Sequence, residues 1–324
     1  MPVLSVNRFS HDYPFDPCYG YSLDRLLAVA KPAVLDNFAD FWLTKYQAAL
    51  RVTAEFKVTP CGTHRGFRIY DISYQSTGAV TINGWLLEPE TQPVQQCIVV
   101  GHGYGGREQP DYHFGIDNTA FLFPCFRGLS RSRCPNVSDQ PQFHVLHDID
   151  KPECYILGGC VEDLWLAVSV MLSRYPQTSG NIGYMGISFG GGIGALAVPW
   201  DERIRRVHLN IPTFGQQPLR LVLPTVGSAA AVQAYVRAHG HAIDTLALYD
   251  AAVAAGFARQ PLHIAAALFD PVVAPPGQFA IYNAWGGPKQ LLVLDAGHFE
   301  YPQQGEQERQ LLKQLQTFFS DRPV

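Results

Sequence analysis

The sequence has few charged residues and no run of lysine or arginine. Only 16% of its 324 residues are Asp, Glu, Lys or Arg, and the formal net charge at pH 7 is −4. A protein that binds nucleic acid normally carries a basic patch that matches the phosphate backbone. The composition therefore argues against a nucleic-acid partner, while 47% hydrophobic residues are typical of a globular protein.

Long apolar runs, a secretion signal and paired cysteine motifs are missing as well. The longest apolar stretches, such as LHIAAALF at residues 262–269, are too short to cross a bilayer, and the N-terminus has no basic region followed by an apolar one. Seven cysteines are scattered without a CxxC pair, which argues against a disulfide framework. We expect a cytoplasmic protein without a membrane partner.

The order of the periodic segments predicts an α/β fold. Residues 1–50 form a helical extension that ends in an amphipathic helix, and three stretches of alternating polarity from about residue 52 predict antiparallel strands. Short apolar strands then alternate with helices, which predicts a mostly parallel central sheet. Because no linker-like segment divides the chain, we predict one domain over residues 1–324, with a long loop or lid at about 107–155.

The segment GISFG at residues 186–190 has the G-x-S-x-G form of a nucleophile elbow. Glycines on both sides would let the chain turn sharply between a strand and a helix and expose Ser188 as a nucleophile. A phosphate-binding loop and a helix start with an incidental serine are the alternatives. The apolar strand before Ser188 and the helical pattern after it favour the elbow.

A serine nucleophile needs a base and an acid that orients the base. Asp270 follows one buried-type strand and His298 follows the next, so Ser188, Asp270 and His298 occur in the chain order of α/β-hydrolases. Each residue alone could be an ordinary loop residue, but the three together predict a catalytic triad. Asp295 is a competing acid that we rank lower, because it lies only three residues before His298.

Two polar segments suggest other kinds of site that we do not favour. GHGYGG at residues 101–106 matches a dinucleotide-binding fingerprint, but Pro110 follows instead of a helix. We interpret it as an oxyanion loop, in which the backbone N–H groups of Tyr104 and Phe189 bind the developing negative charge. HVLHDID at residues 144–150 lacks the spacing of metal ligands, so we interpret it as a polar loop. Acyl transfer through a serine, a histidine and an aspartate needs neither a metal ion nor an organic cofactor, and we expect neither.

Five motifs follow the pattern of one known family. DNFADFW (residues 36–42) matches a DFxxFW helix, HGYGG a GYxGG loop, RGL (residues 127–129) an RGQ motif, and GISFGG a GxSQGG elbow. Residues 268–300, LFDPVVAPPGQFAIYNAWGGPKQLLVLDAGHFE, match a long segment with the spacing GLxDxxCPPxTxFAAYNxxxGPK. The chain resembles the acetyl xylan esterase/cephalosporin-C deacetylase family (carbohydrate esterase family 7) over nearly its whole length.

This resemblance implies an α/β-hydrolase fold, with Ser188 as nucleophile, Asp270 as acid and His298 as base. It implies the same oxyanion hole, formed by Tyr104 and Phe189. The substrate would be a small-molecule ester, most often an acetylated sugar. Family members also often assemble as hexamers, so a homo-oligomer is implied.

The chain departs from the family pattern close to the predicted triad. Leu129 and Phe189 occupy positions where the family has glutamine, and HFE at residues 298–300 carries one residue more than the family's HE. These replacements make the surroundings of the triad more apolar. Two alternatives stay open: a carboxylesterase or peptidase of different acyl preference, and a non-catalytic scaffold, against which the complete Ser/Asp/His set argues.

Overall fold

A nine-stranded mixed sheet runs through residues 9–320, the part of the chain that the computed structural model describes. Its strands are β1 (Phe56–His64), β2 (Phe67–Gln75), β3 (Thr81–Pro89), β4 (Gln96–Gly101), β5 (Thr119–Pro124), β6 (Ile182–Ile187), β7 (Ile204–Asn210), β8 (Leu262–Ala267) and β9 (Lys289–Leu294). They lie in the order β1-β2-β3-β5-β4-β6-β7-β8-β9. β1 to β3 are antiparallel, β3 is antiparallel to β5, and the other neighbours are parallel. The predicted α/β class, with an antiparallel N-terminal portion, is confirmed.

Helices cover both faces of the sheet. Within the described residues they are α1 (Leu23–Leu27), α2 (Phe38–Leu50), α3 (Pro141–His144), α4 (Ile156–Arg174), α5 (Phe189–Ala197), α6 (Gln217–Arg220), α7 (Ser228–His239), α8 (Ala242–Leu248), α9 (Ala251–Ala255), α10 (Pro275–Ala284) and α11 (Gln304–Ser320). The amphipathic helix predicted before residue 50 is α2. The last helix of the described residues, α11, is amphipathic as well.

Alternation along the central strands gives the protein two hydrophobic layers. In β4, Cys97 and Val99 belong to the large core that includes α4 and α5, whereas Ile98 and Val100 belong to a second core with Leu315 of α11. Successive side chains of a strand point to opposite faces, so a strand buried on both faces is apolar at every position. This explains why residues 97–100 of β4 form an unbroken apolar run.

Contrary to the expectation from the apolar runs, helix α4 is by length and composition long and apolar enough to cross a membrane, but 72% of that window is buried inside the protein. Its residues Leu164, Trp165 and Val168 are fully buried in the large core. The apolar composition of α4 is therefore explained by its place at the centre of a hydrophobic layer.

Strand β5 lies inside the segment 107–155, where the sequence predicted only a loop or lid. All six residues of β5 are buried, and it pairs with β4 in parallel and with β3 in antiparallel orientation. The apolar run of β5 ends in Pro124, and a proline in such a run argues against a strand. The prediction is wrong for these residues.

The turn after β5 is anchored by a buried ion pair. Arg127 Nη2 lies 2.6 Å from Asp163 Oδ1 on α4, and the Asp163 side chain is fully buried. Asp163 also accepts hydrogen bonds from the Arg127 backbone N–H and from Ser76 Oγ. A buried charge needs such complete pairing to be tolerated, and the result is a rigid segment next to the carboxyl end of β4.

Candidate active site

Ser188 lies at a strained turn between β6 and α5. Its backbone has φ 52° and ψ −107°, a conformation that residues with a side chain rarely adopt. The turn is held because the Ser188 N–H donates to Asn210 O at 2.8 Å, and the Ser188 carbonyl accepts from the N–H groups of Gly192 and Thr213. Ser188 therefore has the backbone geometry of a nucleophile elbow.

Glycine is required at position 190 because the elbow touches the neighbouring strand. A Cβ at Gly190 would lie 2.7 Å from the carbonyl carbon of Gly101, at the end of β4. The Gly190 N–H also donates to His102 O at 2.9 Å. This contact ties the elbow to the loop after β4, where the second predicted oxyanion residue lies.

The imidazole of His298 joins Ser188 to Asp270. Its Nε2 lies 2.9 Å from Ser188 Oγ, and its Nδ1 lies 2.8 Å from Asp270 Oδ2. Asp270 follows β8 and His298 follows β9, so the parallel sheet brings both to the edge where β6 ends. The structure thus brings together the three residues of the predicted triad.

The Asp270 carboxylate is fully buried and fully hydrogen-bonded. Its Oδ1 accepts from the N–H groups of Val272 and Val273, each at 2.9 Å, and its Oδ2 accepts from Gln278 Nε2 at 3.0 Å as well as from His298. These bonds fix the carboxylate plane and leave Oδ2 facing the imidazole. Gln278 was not predicted, because only the packing of α10 against β8 brings it to the acid.

Asp295, the competing acid, does not contact the imidazole Nδ1, which pairs with Asp270. The Asp295 N–H donates to Gln307 Oε1 of α11 at 3.0 Å. This residue belongs to the turn that leads from β9 to His298.

Burial and the neighbouring carboxylate act on His298 in opposite directions. Burial lowers the pKa of His298, but the charge of Asp270 and its hydrogen bond to Nδ1 outweigh burial and raise the pKa above its ordinary value. The ion pair therefore favours the imidazolium, the form that a histidine base reaches after it takes a proton.

Tyr104 lies in a tight turn after β4, where the Gly106 N–H donates to Gly103 O at 3.0 Å. Its ring stacks on the Phe189 ring with a centroid distance of 4.1 Å and an angle of 30°. Phe189 is the first residue of α5, and the first amides of a helix have no intrahelical acceptor. Stacking thus joins the two residues whose backbone N–H groups are predicted to form the oxyanion hole.

Two neutral histidines hold this loop in place. His102 Nε2 accepts from the Phe126 N–H at 3.1 Å, so its Nδ1–H donates to Gly103 O at 2.7 Å. His144 Nε2–H donates to Arg127 O at 2.9 Å, and its Nδ1 accepts from Tyr104 Oη at 2.9 Å. Burial lowers the pKa of each histidine to about 4. His144 was expected only in a polar loop, and in the structure it supports Tyr104.

A cavity of about 830 Å³ opens over Ser188 and His298. Its lining includes Tyr104 and Gly105 of the loop after β4, as well as apolar side chains such as Ile187 and Val272. A pocket of this size accepts a small molecule. With a serine and a hydrogen-bonded base at one wall, it can carry out acyl transfer.

The ring of Phe189 is fully buried and packs against Tyr104, Phe126 and Phe214. Phe189→Gln should lower the free energy of unfolding by about 3 kcal/mol, because an amide without partners replaces a packed ring. Urea unfolding measures this loss. Phe189→Met, which keeps an apolar chain, should cost less than about 1.5 kcal/mol. Wild-type stability of the glutamine variant would contradict this account.

Comparison with known proteins identifies the family. The model of the acetyl xylan esterase (AXE1) family matches residues 22–317. The acetyl xylan esterase from Paenibacillus sp. R4 is 22% identical, with a TM-score of 0.77 over 91% of this chain and 99% of its own. Acetyl xylan esterase 1 from Thermoanaerobacterium sp. JW/SL YS485 is 17% identical, with a TM-score of 0.76 over 93% of this chain and 99% of its own.

A more distant similarity shows the breadth of the fold. The acylaminoacyl peptidase of Pyrococcus horikoshii is 13% identical, with a TM-score of 0.61 over 85% of this chain and 44% of its own. At these identities the structural matches establish the α/β-hydrolase fold, whereas the family model covers most of the sequence. The chain belongs to the acetyl xylan esterase family, and it is therefore a carboxylic-ester hydrolase.

Proposed function

We propose that the protein is a serine esterase that removes acetyl groups from small-molecule esters, with Ser188 as nucleophile. The observation that carries the proposal is the chain of hydrogen bonds from Ser188 Oγ through both nitrogens of His298 to Asp270, at one wall of the cavity. The description of the matching family supports acetyl as the acyl group.

In the first half of the reaction, Ser188 Oγ attacks the ester carbonyl while His298 Nε2 takes the hydroxyl proton. The resulting imidazolium is stabilised by Asp270, which also holds Nδ1 as the protonated nitrogen. His298 then gives the proton to the leaving alcohol, and the acetyl group stays on Ser188. A water molecule activated by His298 releases acetate in the second half. This mechanism uses no metal ion or organic cofactor.

The developing oxyanion is bound by the backbone N–H groups of Tyr104 and Phe189. Each such donor contributes about 3 kcal/mol to the stabilisation of the transition state in other hydrolases. Stacking of the two rings at 4.1 Å and the hydrogen bond from Tyr104 Oη to His144 limit movement of the two amides. Positions that are fixed in advance need no reorganisation when the charge develops.

The role of Ser188 is tested directly by its removal. Ser188→Ala should lower kcat for p-nitrophenyl acetate by roughly 10⁶-fold, the scale seen when a serine hydrolase loses its nucleophile. It should also abolish covalent labelling by a fluorophosphonate, which mass spectrometry detects. Circular dichroism should show an unchanged fold. If the variant keeps the wild-type rate, Ser188 is not the nucleophile.

The two acids give a matched pair of variants. Asp270→Asn should lower kcat about 10⁴-fold, because the amide favours the wrong imidazole tautomer, whereas Asp295→Asn should stay within about threefold of wild type. In wild type, kcat/KM should rise with pH through a pKa above the ordinary histidine value, since the neutral base is active. In Asp270→Asn this inflection should move to lower pH. The opposite ranking of the two variants would assign the acid to Asp295.

The acyl group is tested with a series of p-nitrophenyl esters. We expect kcat/KM to be highest for the acetate and to fall at least tenfold towards the hexanoate, and we expect release of acetate from peracetylated xylose. The common nitrophenol leaving group keeps the alcohol side of the pocket constant. Rates that rise from acetate to hexanoate would point to a general carboxylesterase, and cleavage of an acylated peptide at a comparable rate would point to a peptidase.

A further inference from the structure

Residues 9–21, which we name the N-terminal arm, lie across the two loops that carry Asp270 and His298. The arm precedes the segment matched by the family model, which begins at residue 22. The fold does not require these residues for its sheet or its large core. The sheet and the large core therefore do not explain why these residues lie beside Asp270 and His298.

A backbone hydrogen bond attaches the arm to the acid loop, and a side-chain hydrogen bond attaches it to Pro224. The N–H of Asp270 donates to Pro17 O at 3.1 Å, and Tyr19 Oη donates to Pro224 O at 2.8 Å. Asp16 folds the arm at this point, because its carboxylate accepts from the N–H groups of Cys18 and Gly20. The arm is thus docked on the residue that orients the imidazole.

Aromatic contacts attach the arm to the histidine loop as well. The Phe9 ring packs edge-on against Phe269 at 5.2 Å and lies 5.7 Å from Phe299, and those two rings are 4.9 Å apart. Phe269 directly precedes Asp270, and Phe299 directly follows His298. One aromatic cluster therefore joins the arm to both catalytic loops.

Tyr13 is the residue of the arm that reaches the cavity. It lines the cavity together with Phe299 and Tyr301, and its ring centroid is 6.5 Å from that of Phe299. All three residues line the same cavity as His298. Because His298 Nε2 has to give its proton to the leaving oxygen, the alcohol part of the ester lies on this side of Ser188.

We propose that the N-terminal arm forms the wall that contacts the leaving alcohol, and that Tyr13 makes the enzyme favour esters whose alcohol carries a flat, apolar ring. The inference rests on the proposed function and names the substrate class on the alcohol side. Aromatic rings attract one another beyond the burial of their area, so a ring on the alcohol gains a contact with Tyr13 that a short alkyl chain does not.

The test compares two acetates that differ only in the alcohol, 2-naphthyl acetate and ethyl acetate. Both leave the same acetyl group on Ser188, so deacylation is common to them, and a difference in kcat/KM arises when the alcohol binds and leaves. Tyr13→Ala should lower kcat/KM about tenfold for 2-naphthyl acetate, the upper range of an aromatic contact, and less than twofold for ethyl acetate. Tyr13→Phe, which keeps the ring, should restore the value for 2-naphthyl acetate.

Phe15→Ala is the matched control. The Phe15 ring lies in the same arm, 5.8 Å from the Tyr13 ring and 5.8 Å from the Tyr19 ring, but it is not among the residues that line the cavity. It should leave the ratio of the two kcat/KM values unchanged. Equal losses for both esters, or the same change of ratio in Phe15→Ala, would show that the arm only supports the loops and would overturn the inference.

The proposed function and this inference fail in different ways. If the wild-type protein hydrolyses neither acetate and takes up no fluorophosphonate on Ser188, the proposed function is wrong and the inference falls with it. If the wild type is active and labelled but Tyr13→Ala changes neither kcat/KM value, only the role of the arm is wrong.

Discussion

The imidazole of His298 has to contact a serine 110 residues before it and an aspartate 28 residues before it at the same time. The two nitrogens of the ring reach the serine and the aspartate together only when β6, β8 and β9 end at the same edge of the sheet. The parallel register of these strands and the four hydrogen bonds to Asp270 satisfy this condition. The strain at Ser188 is tolerated because the surrounding backbone over-determines it.

The oxyanion side of the site depends on packing more than on polar bonds. A fully buried phenylalanine follows Ser188, and its stacking on Tyr104 couples the start of α5 to the loop after β4. The polar contacts of that loop, through His102 and His144, are made by neutral imidazoles, because burial disfavours their charged form. An apolar side chain at position 189 fits these surroundings, because the amide of a glutamine there would be buried among apolar rings.

The sequence predicted the reacting residues better than their supports. Ser188 and Asp270 follow the buried strands β6 and β8, and His298 follows the half-buried edge strand β9. These positions are visible in the pattern of apolar runs and loop residues. Gln278 reaches Asp270 only because α10 packs on β8, and His144 reaches Tyr104 across 40 residues of chain. No local pattern marks a glutamine or a histidine as such a partner. Strand β5 was missed because its apolar run ends in Pro124, and a proline in such a run argues against a strand.

Chemistry and substrate choice depend on different parts of this chain. The predicted triad and the amides predicted to bind the oxyanion lie within residues 22–317, the part that matches the family model, and they carry the proposed acyl transfer. Tyr13 lies outside that part and reaches the cavity only because the arm is docked on the loops of Asp270 and His298. Because the arm both supports the loops of Asp270 and His298 and lines the pocket, it couples the chemistry to the choice of substrate. Changes in the arm that alter the alcohol preference must therefore keep the contacts that hold the acid and the base.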